Sequence, residues 1–250
     1  MMPTKSVWNV SVLLLGAAML AGPAAAQQPA PAENKPATTP AQDTCVAPYG
    51  VPFAQKVQAC TEAIQSNRLK GVPLGLAYYN RATAQIQQGH GEEATADYKE
   101  ALRAFTEVIR VSQANAPLLF QRGLIYHTLG DADQAIVDYS DAIRLAPNET
   151  YAYVNRGIVL YTKKDNNEGA IHDFNSALKI NKCEVNAWIN RGLTYKRKGD
   201  LNQSIADFTE AIQCLGNGLS PVPTSPPARA DAAYYQGVTK STQEIGRAHV

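Results

Sequence analysis

Residues Ala116–Glu149 read APLLFQRGLIYHTLGDADQAIVDYSDAIRLAPNE, and the next stretch, Thr150–Glu184, reads TYAYVNRGIVLYTKKDNNEGAIHDFNSALKINKCE. A third stretch, from Val185 to about Leu215, reads VNAWINRGLTYKRKGDLNQSIADFTEAIQCL. Superposed, they place Gly123, Gly157 and Gly192 at one slot, 34 and 35 residues apart. The second stretch carries one extra residue in its internal turn, near Asn166 to Gly169. Each holds two segments of helical apolar spacing, split by a Gly-Asp or Lys-Asp turn. Two helices of this length cannot bury their apolar faces alone, so each unit must stack on a neighbour.

The punctuation inside each unit agrees with this reading. Asp131 with Gln134, and Asp200 with Gln203, form cap pairs at the start of each second helix. Gly130 and Gly199 suit the left-handed residue that ends each first helix. A glycine inside a helix costs about 1 kcal/mol relative to alanine, so three at one slot require compensation. We expect close approach of the paired helices, with Gly123 facing Ala135, Gly157 facing Ala170 and Gly192 facing Ser204. Larger residues fill the next layer: Tyr126 with Tyr139, Leu160 with Phe174, Tyr195 with Phe208.

The pattern resembles the tetratricopeptide-repeat family. The carrying residues are Trp188, Gly192 and Tyr195 in a first helix, Ala135, Tyr139 and Ala142 in a second, and Pro147 at a boundary. Ser204 and Lys182 depart from that pattern without breaking it. The expected fold class is all-α, an α-solenoid of tetratricopeptide-type helical hairpins, preceded by a signal peptide and a Pro/Ala-rich linker. Repeats span 116–149, 150–184 and 185–215.

Toward the N-terminus the signal is noisier. Asn80-Arg81-Ala82 echoes Asn155-Arg156-Gly157, and two second-helix registers follow: Ala94, Tyr98, Ala101 and Ala101, Phe105, Val108. Seven residues are close to two helical turns, so residues 75–115 are expected to be a divergent repeat with one lengthened second helix, about Glu92 to Ser112. Residues 45–74 form an N-terminal cap region, with Ala54 to Ser66 as a half repeat. Residues 216–228 are a Pro-rich linker, and 229–250 resume as a first helix with no partner. Glu244 to Val250 also match the translation of a widely used sequencing adapter. The natural protein is therefore expected to continue past about Gln243, a genuine short tail being the alternative.

Lys5, the apolar run Val12–Ala21 and Ala24-Ala25-Ala26 read as a signal peptide cleaved after Ala26, with an uncleaved anchor as the alternative. Residues 27–44, rich in Ala and Pro, cannot bury enough surface to order themselves and read as a disordered tether. The expected location is therefore the periplasm of a bacterium, or the outside. The 250 residues carry 23 Lys and Arg against 22 Asp and Glu. That balance argues against a polyanion partner, so no nucleic acid is expected.

Four cysteines in an oxidising compartment suggest bridges. A helical hairpin brings Cys183 and Cys214 together, and Cys45 and Cys60 would tie the entry segment to the cap helix; four free thiols are the competing reading. Neither CxxC nor HExxH occurs, so no metal is expected. No nucleophile elbow, phosphate loop or dinucleotide fingerprint is present, so neither cofactor nor catalytic residues are assigned and the chain is read as a non-enzyme. Arg81, Arg122, Arg156 and Arg191 recur at one slot, and Asp97, Asp138, Asp173 and Asp207 at another. Recurrence at the repeat period points to structural ion pairs, not an acid/base pair.

The resemblance implies that first helices line a concave groove taking an extended peptide or helix. Mapped slot by slot, the groove candidates are Tyr79, Ile86, Phe120, Leu124, His127, Val154, Ile158, Tyr161, Ile189, Leu193, Lys196 and Arg197. The family's carboxylate clamp is disfavoured, because its slots hold Tyr79, Thr83, Phe120 and Asn155. The functional expectation is an exported protein-interaction scaffold with a protein or peptide partner. The alternatives are a self-associating module, hence a homo-oligomer, and the non-catalytic part of a larger envelope protein. The membrane enters only through an uncleaved signal segment.

Overall fold

A computed structural model describes residues 40–47, 50–112, 114–216 and 226–248. The signal segment, residues 27–39 of the tether and residues 217–225 of the Pro-rich connection lie outside these. Every regular element among the described residues is an α-helix: α1 Pro40–Val46, α2 Phe53–Gln65, α3 Gly71–Gln87, α4 Gly91–Val111, α5 Ala116–Leu129, α6 Ala132–Leu145, α7 Thr150–Lys163, α8 Asn167–Ile180, α9 Val185–Lys198, α10 Leu201–Gly216 and α11 Pro226–Ala248. None of these helices is long and apolar enough to cross a membrane. The fold class is that of an α-solenoid, with helical hairpins stacked in chain order. The chain divides into two compact units, residues 1–129 and 130–250.

The first unit begins earlier than the composition predicts. Residues 40–44, expected in the tether, already belong to α1. The reason is a small core under it: Cys45 lies at bonding distance from Cys60, and both are buried with Ala59, Ala63, Leu69 and Ala77. α1 and α2 thus cap the face of α3.

In the α3–α4 hairpin, both aromatic registers are used. Tyr98 packs on Tyr79 with ring centroids 5.9 Å apart. Phe105 lies over Gly75, where a Cβ would collide with its ring. α4 has 21 residues against 14 in α6 and α8, the two-turn insertion expected from the seven-residue offset. Two extra turns return the apolar stripe to nearly the same face, so α5 still packs on α4.

In the second unit, α7 pairs with α8 and α9 with α10, and α11 packs on α10. The glycine slot is indeed a place of close approach, but its partner differs from the expectation. A Cβ on Gly157 would come 2.7 Å from the Phe174 ring, and one on Gly192 2.9 Å from Phe208. The aromatic ring, not Ala170 or Ser204, therefore covers the glycine. A flat ring fills the volume a side chain would otherwise take, while Ala170 and Ser204 are buried beside it.

The turns follow local chemistry. Gly199 adopts φ +86° after α9, and the two-residue turn leads into α10. The extra residue of the middle repeat makes a three-residue turn, Lys164–Asn166, before α8. There the Asn166 side chain accepts from the Gly169 N–H at 2.9 Å, capping α8. Asp131 caps α6 in the same way through the Gln134 N–H. Cys183 and Cys214 lie at bonding distance, their Cα atoms 5.4 Å apart, and close the α9–α10 hairpin at its open end.

Candidate interaction surface

In α3, α7 and α9 an arginine stands one residue before the small slot, on the side facing the second helix. Arg81 grips Asp97 through Nε at 2.6 Å and Nη2 at 2.7 Å. Arg156 grips Asp173 at 2.8 and 2.7 Å, and Arg191 grips Asp207 at 2.8 and 2.7 Å. The carboxylates are buried, so a two-point bond to each is what makes their charge tolerable. Burial nonetheless pushes the Asp207 carboxyl above its ordinary value, and Arg191 draws it back only in part.

The remaining guanidinium N–H reaches backward to the previous second helix. Arg81 donates to Thr61 at 3.1 Å, Arg156 to Ser140 at 2.9 Å, and Arg191 to the Asn175 side chain. One side chain thus closes a hairpin and joins it to its predecessor. These arginines are structural, and Trp188 and Tyr195 flank the Arg191 guanidinium at 4.7 and 5.9 Å from their ring centroids.

The twelve groove candidates separate by exposure. In the first unit, Tyr79 is buried against Tyr98, with Ile86 half-buried on the same cluster. Burial pushes both tyrosine hydroxyls up. Phe120 and Leu124 are buried in α5, and His127 is half-buried. In the second unit, Val154, Ile158 and Tyr161 form one buried cluster with Phe174, and Leu193 packs on its edge. Ile189 packs on the next cluster, beside Ala232 of α11. Ile189, Leu193 and Lys196 are half-buried, one row at i, i+4 and i+7 on α9.

At the basic end of α9, two cations are engaged within the fold. The Arg197 guanidinium lies 3.7 Å from the Tyr161 ring centroid and donates to the Tyr161 carbonyl at 2.6 Å and to Asp165 at 3.2 Å. Lys198 pairs with Glu168. Both cations bind the preceding turn, because the last turn of α9 overhangs it.

Two residues of the same row were missed by sequence reasoning: Tyr234 and Val238 of α11, 65% and 37% exposed. The signal was available. They stand three before and one after Gly237, as Ile189 and Leu193 do around Gly192 and Val154 and Ile158 around Gly157. Among the described residues, no group of three His, Cys, Asp or Glu is placed to hold a metal ion.

The fold and this surface define a helical-repeat protein with a structural arginine ladder and an apolar row along its first helices. Comparison with known families matches "TPR repeat" over residues 123–164 and "Tetratricopeptide repeat" over 76–106 and 185–213. These residues are thus tetratricopeptide repeats. The chain is 34% identical over 86 residues to human Tetratricopeptide repeat protein 6, covering 34% of this chain and 15% of that one. It is 30% identical over 93 residues to Photosystem I assembly protein Ycf3 of Acaryochloris marina (strain MBIC 11017), covering 37% and 54%. The chain thus spans about half or less of the length of these relatives. Among solved structures, MamA superposes with a TM-score of 0.48 at 18% identity, over 67% of this chain and 91% of that one.

Proposed function

We propose that the chain is an exported protein-interaction scaffold that holds a peptide or helical segment of a partner protein by non-covalent contacts. The partner lies along the inner row of the second unit: Ile189, Leu193 and Lys196 of α9, then Tyr234 and Val238 of α11. One observation carries this reading. The same two slots are buried at Val154 and Ile158, half-buried at Ile189 and Leu193, and exposed at Tyr234 and Val238. The row therefore emerges from the core as an apolar strip rimmed by one lysine, the arrangement that anchors a helix or extended segment. Export is supported by the leader-like residues 1–26 and by two cysteine pairs at bonding distance.

Phe120 and Ile158 are too buried to test recognition, since their replacement would unfold the chain before it lost a partner. Tyr234→Asp with Val238→Asp leaves the core intact. Recovery of partners from envelope extract is expected to fall with this variant, and equal recovery of every partner by the folded variant refutes the inner row. The protein is expected in the periplasmic fraction without residues 1–26, and its retention in the cytoplasm at full length refutes export.

A further inference from the structure

The two cysteine pairs stand in unlike surroundings. Cys45 and Cys60 are 1% and 0% exposed, packed among Ala59, Ala63, Leu69 and Ala77. Cys214 of α10 is buried too, but Cys183 is half-buried and lies in the connection between α8 and α9. There its N–H donates to the Asn181 side chain at 3.0 Å, which holds the cysteine in the turn. Thiol–disulfide exchange needs a thiolate to reach a sulfur from outside, so access sets which bond opens. Of the two pairs, only Cys183–Cys214 has an end that reaches the surface.

The buried end touches a later helix. Cys214 clusters with Val185, Ala211 and the fully buried Ala232 of α11, and Cys183, Trp188 and Ile189 pack on that cluster. The bond thus closes the α9–α10 hairpin beneath the first half of α11. The second half is held separately. Gln236 Nε2 donates to Thr209 Oγ1 at 2.7 Å, and Gln243 Nε2 donates to Asn202 Oδ1. Two sulfurs no longer bonded must part to van der Waals separation, and the close packing beside Ala232 leaves no spare volume for that. Opening the bond therefore displaces Ala232 first.

We propose that Cys183–Cys214 is a redox latch on α11: an external dithiol exchanges at Cys183 Sγ, and the state of the pair sets whether the first half of α11 stays seated. One thiolate of the dithiol attacks Cys183 Sγ, forming a mixed disulfide there as the Cys183–Cys214 bond breaks. The electron pair of that bond leaves on Cys214 Sγ. This sulfur takes a proton, since a bare thiolate among Val185, Ala211 and Ala232 would be a buried charge without a partner. The second thiol of the dithiol then displaces Cys183 as a thiolate, which is protonated in turn. The pair gains two electrons and two protons, and the dithiol ends as its disulfide. The latch does not rest on the function proposed above. Its consequence for binding does, because Ile189 packs on the seat and Tyr234 lies two residues beyond Ala232, both in the inner row.

The full chain is titrated with dithiothreitol under native conditions, alkylated and mapped by mass spectrometry. Cys183 and Cys214 are expected to open about tenfold faster or more than Cys45 and Cys60. Trp188, which donates to the Lys182 carbonyl at 2.7 Å and packs beside Cys183, reports the same bond. In Trp8→Phe it is the sole tryptophan of the chain, and its emission is expected to rise as the quenching disulfide opens. Amide exchange around Ala232 is expected to quicken about tenfold or more, both on reduction and in Cys183→Ser with Cys214→Ser, while exchange around Gln243 changes less. Reoxidation restores the reduced chain and not the variant, and Cys45→Ser with Cys60→Ser leaves α11 unchanged. Opening of both pairs together or of Cys45–Cys60 first, four thiols that alkylate without reductant, or α11 exchange unmoved by reduction each overturns the proposal. So does a quickening spread evenly over α7 to α11, which would make the bond a staple of all these helices and not a latch on one.

Discussion

Replacing Arg156 by alanine removes more than a surface charge. The Asp173 side chain is 2% exposed, and both of its oxygens are held by the Arg156 guanidinium at 2.8 and 2.7 Å. Without it, the buried carboxylate keeps only the exposed His172 ring nearby, its Nδ1 3.5 Å away, a change that costs about 3–5 kcal/mol. The lost bond to Ser140 adds about 1 kcal/mol, since it also joins α7 to α6. A loss of that size is a large part of the stability of a typical domain and lowers a melting midpoint by roughly 8–24 °C at this chain length. Because repeats contact only their neighbours, the damage begins in the α7–α8 hairpin, where amide exchange should quicken first.

The assay is urea unfolding followed by far-ultraviolet circular dichroism, with a double-mutant cycle. Arg156→Ala with Asp173→Ala is expected to be more stable than Arg156→Ala alone, because the stranded charge is gone. Arg110→Ala is the control. Arg110 also bonds a carboxylate, Glu107, through two nitrogens, but both side chains face water, and no measurable change is expected. An Arg156→Ala loss under about 1 kcal/mol, or a double variant no better than the single one, refutes the argument that burial makes the ladder matter.

Two further perturbations test packing and titration. Gly157→Ala gains about 1 kcal/mol of helix propensity but pushes a Cβ to 2.7 Å from the fully buried Phe174 ring. Overpacking of that kind costs about 1–3 kcal/mol, so a net loss of up to about 2 kcal/mol is expected by urea unfolding, while Gly91→Ala at the open start of α4 loses nothing. Glu184, buried before α9, accepts from the Thr150 hydroxyl at 2.9 Å, and burial pushes its carboxyl above the ordinary value. A raised acid is favoured in its protonated form by the fold, so stability falls as pH rises through its folded value. Glu184→Gln should therefore raise the urea midpoint near neutral pH and leave it unchanged well below the carboxylate range; a gain that persists in acid contradicts this.

Much of this molecule was legible along the chain because its information repeats. The 34-residue period exposed the glycine slot, the arginine and aspartate slots and the turns, each written three times or more. The pairing of Cys183 with Cys214 was expected because a helical hairpin brings its two ends together. What periodicity reports, however, is which residues share a face. It says nothing of which atom across the gap fills the space, so small-on-small contact was expected where Phe174 and Phe208 in fact lie over the glycines. Nor could it choose between the two registers of α4, which the fold uses together, Tyr98 against Tyr79 and Phe105 over Gly75.

Exposure was the property most beyond the sequence. Ile158 and Val238 are both aliphatic and share one slot, yet one is buried and the other open, because burial belongs to the neighbours that arrive and not to the side chain itself. Composition and spacing determined that helices would pair and stack; only the assembled chain decided which of their faces were left for something else to cover.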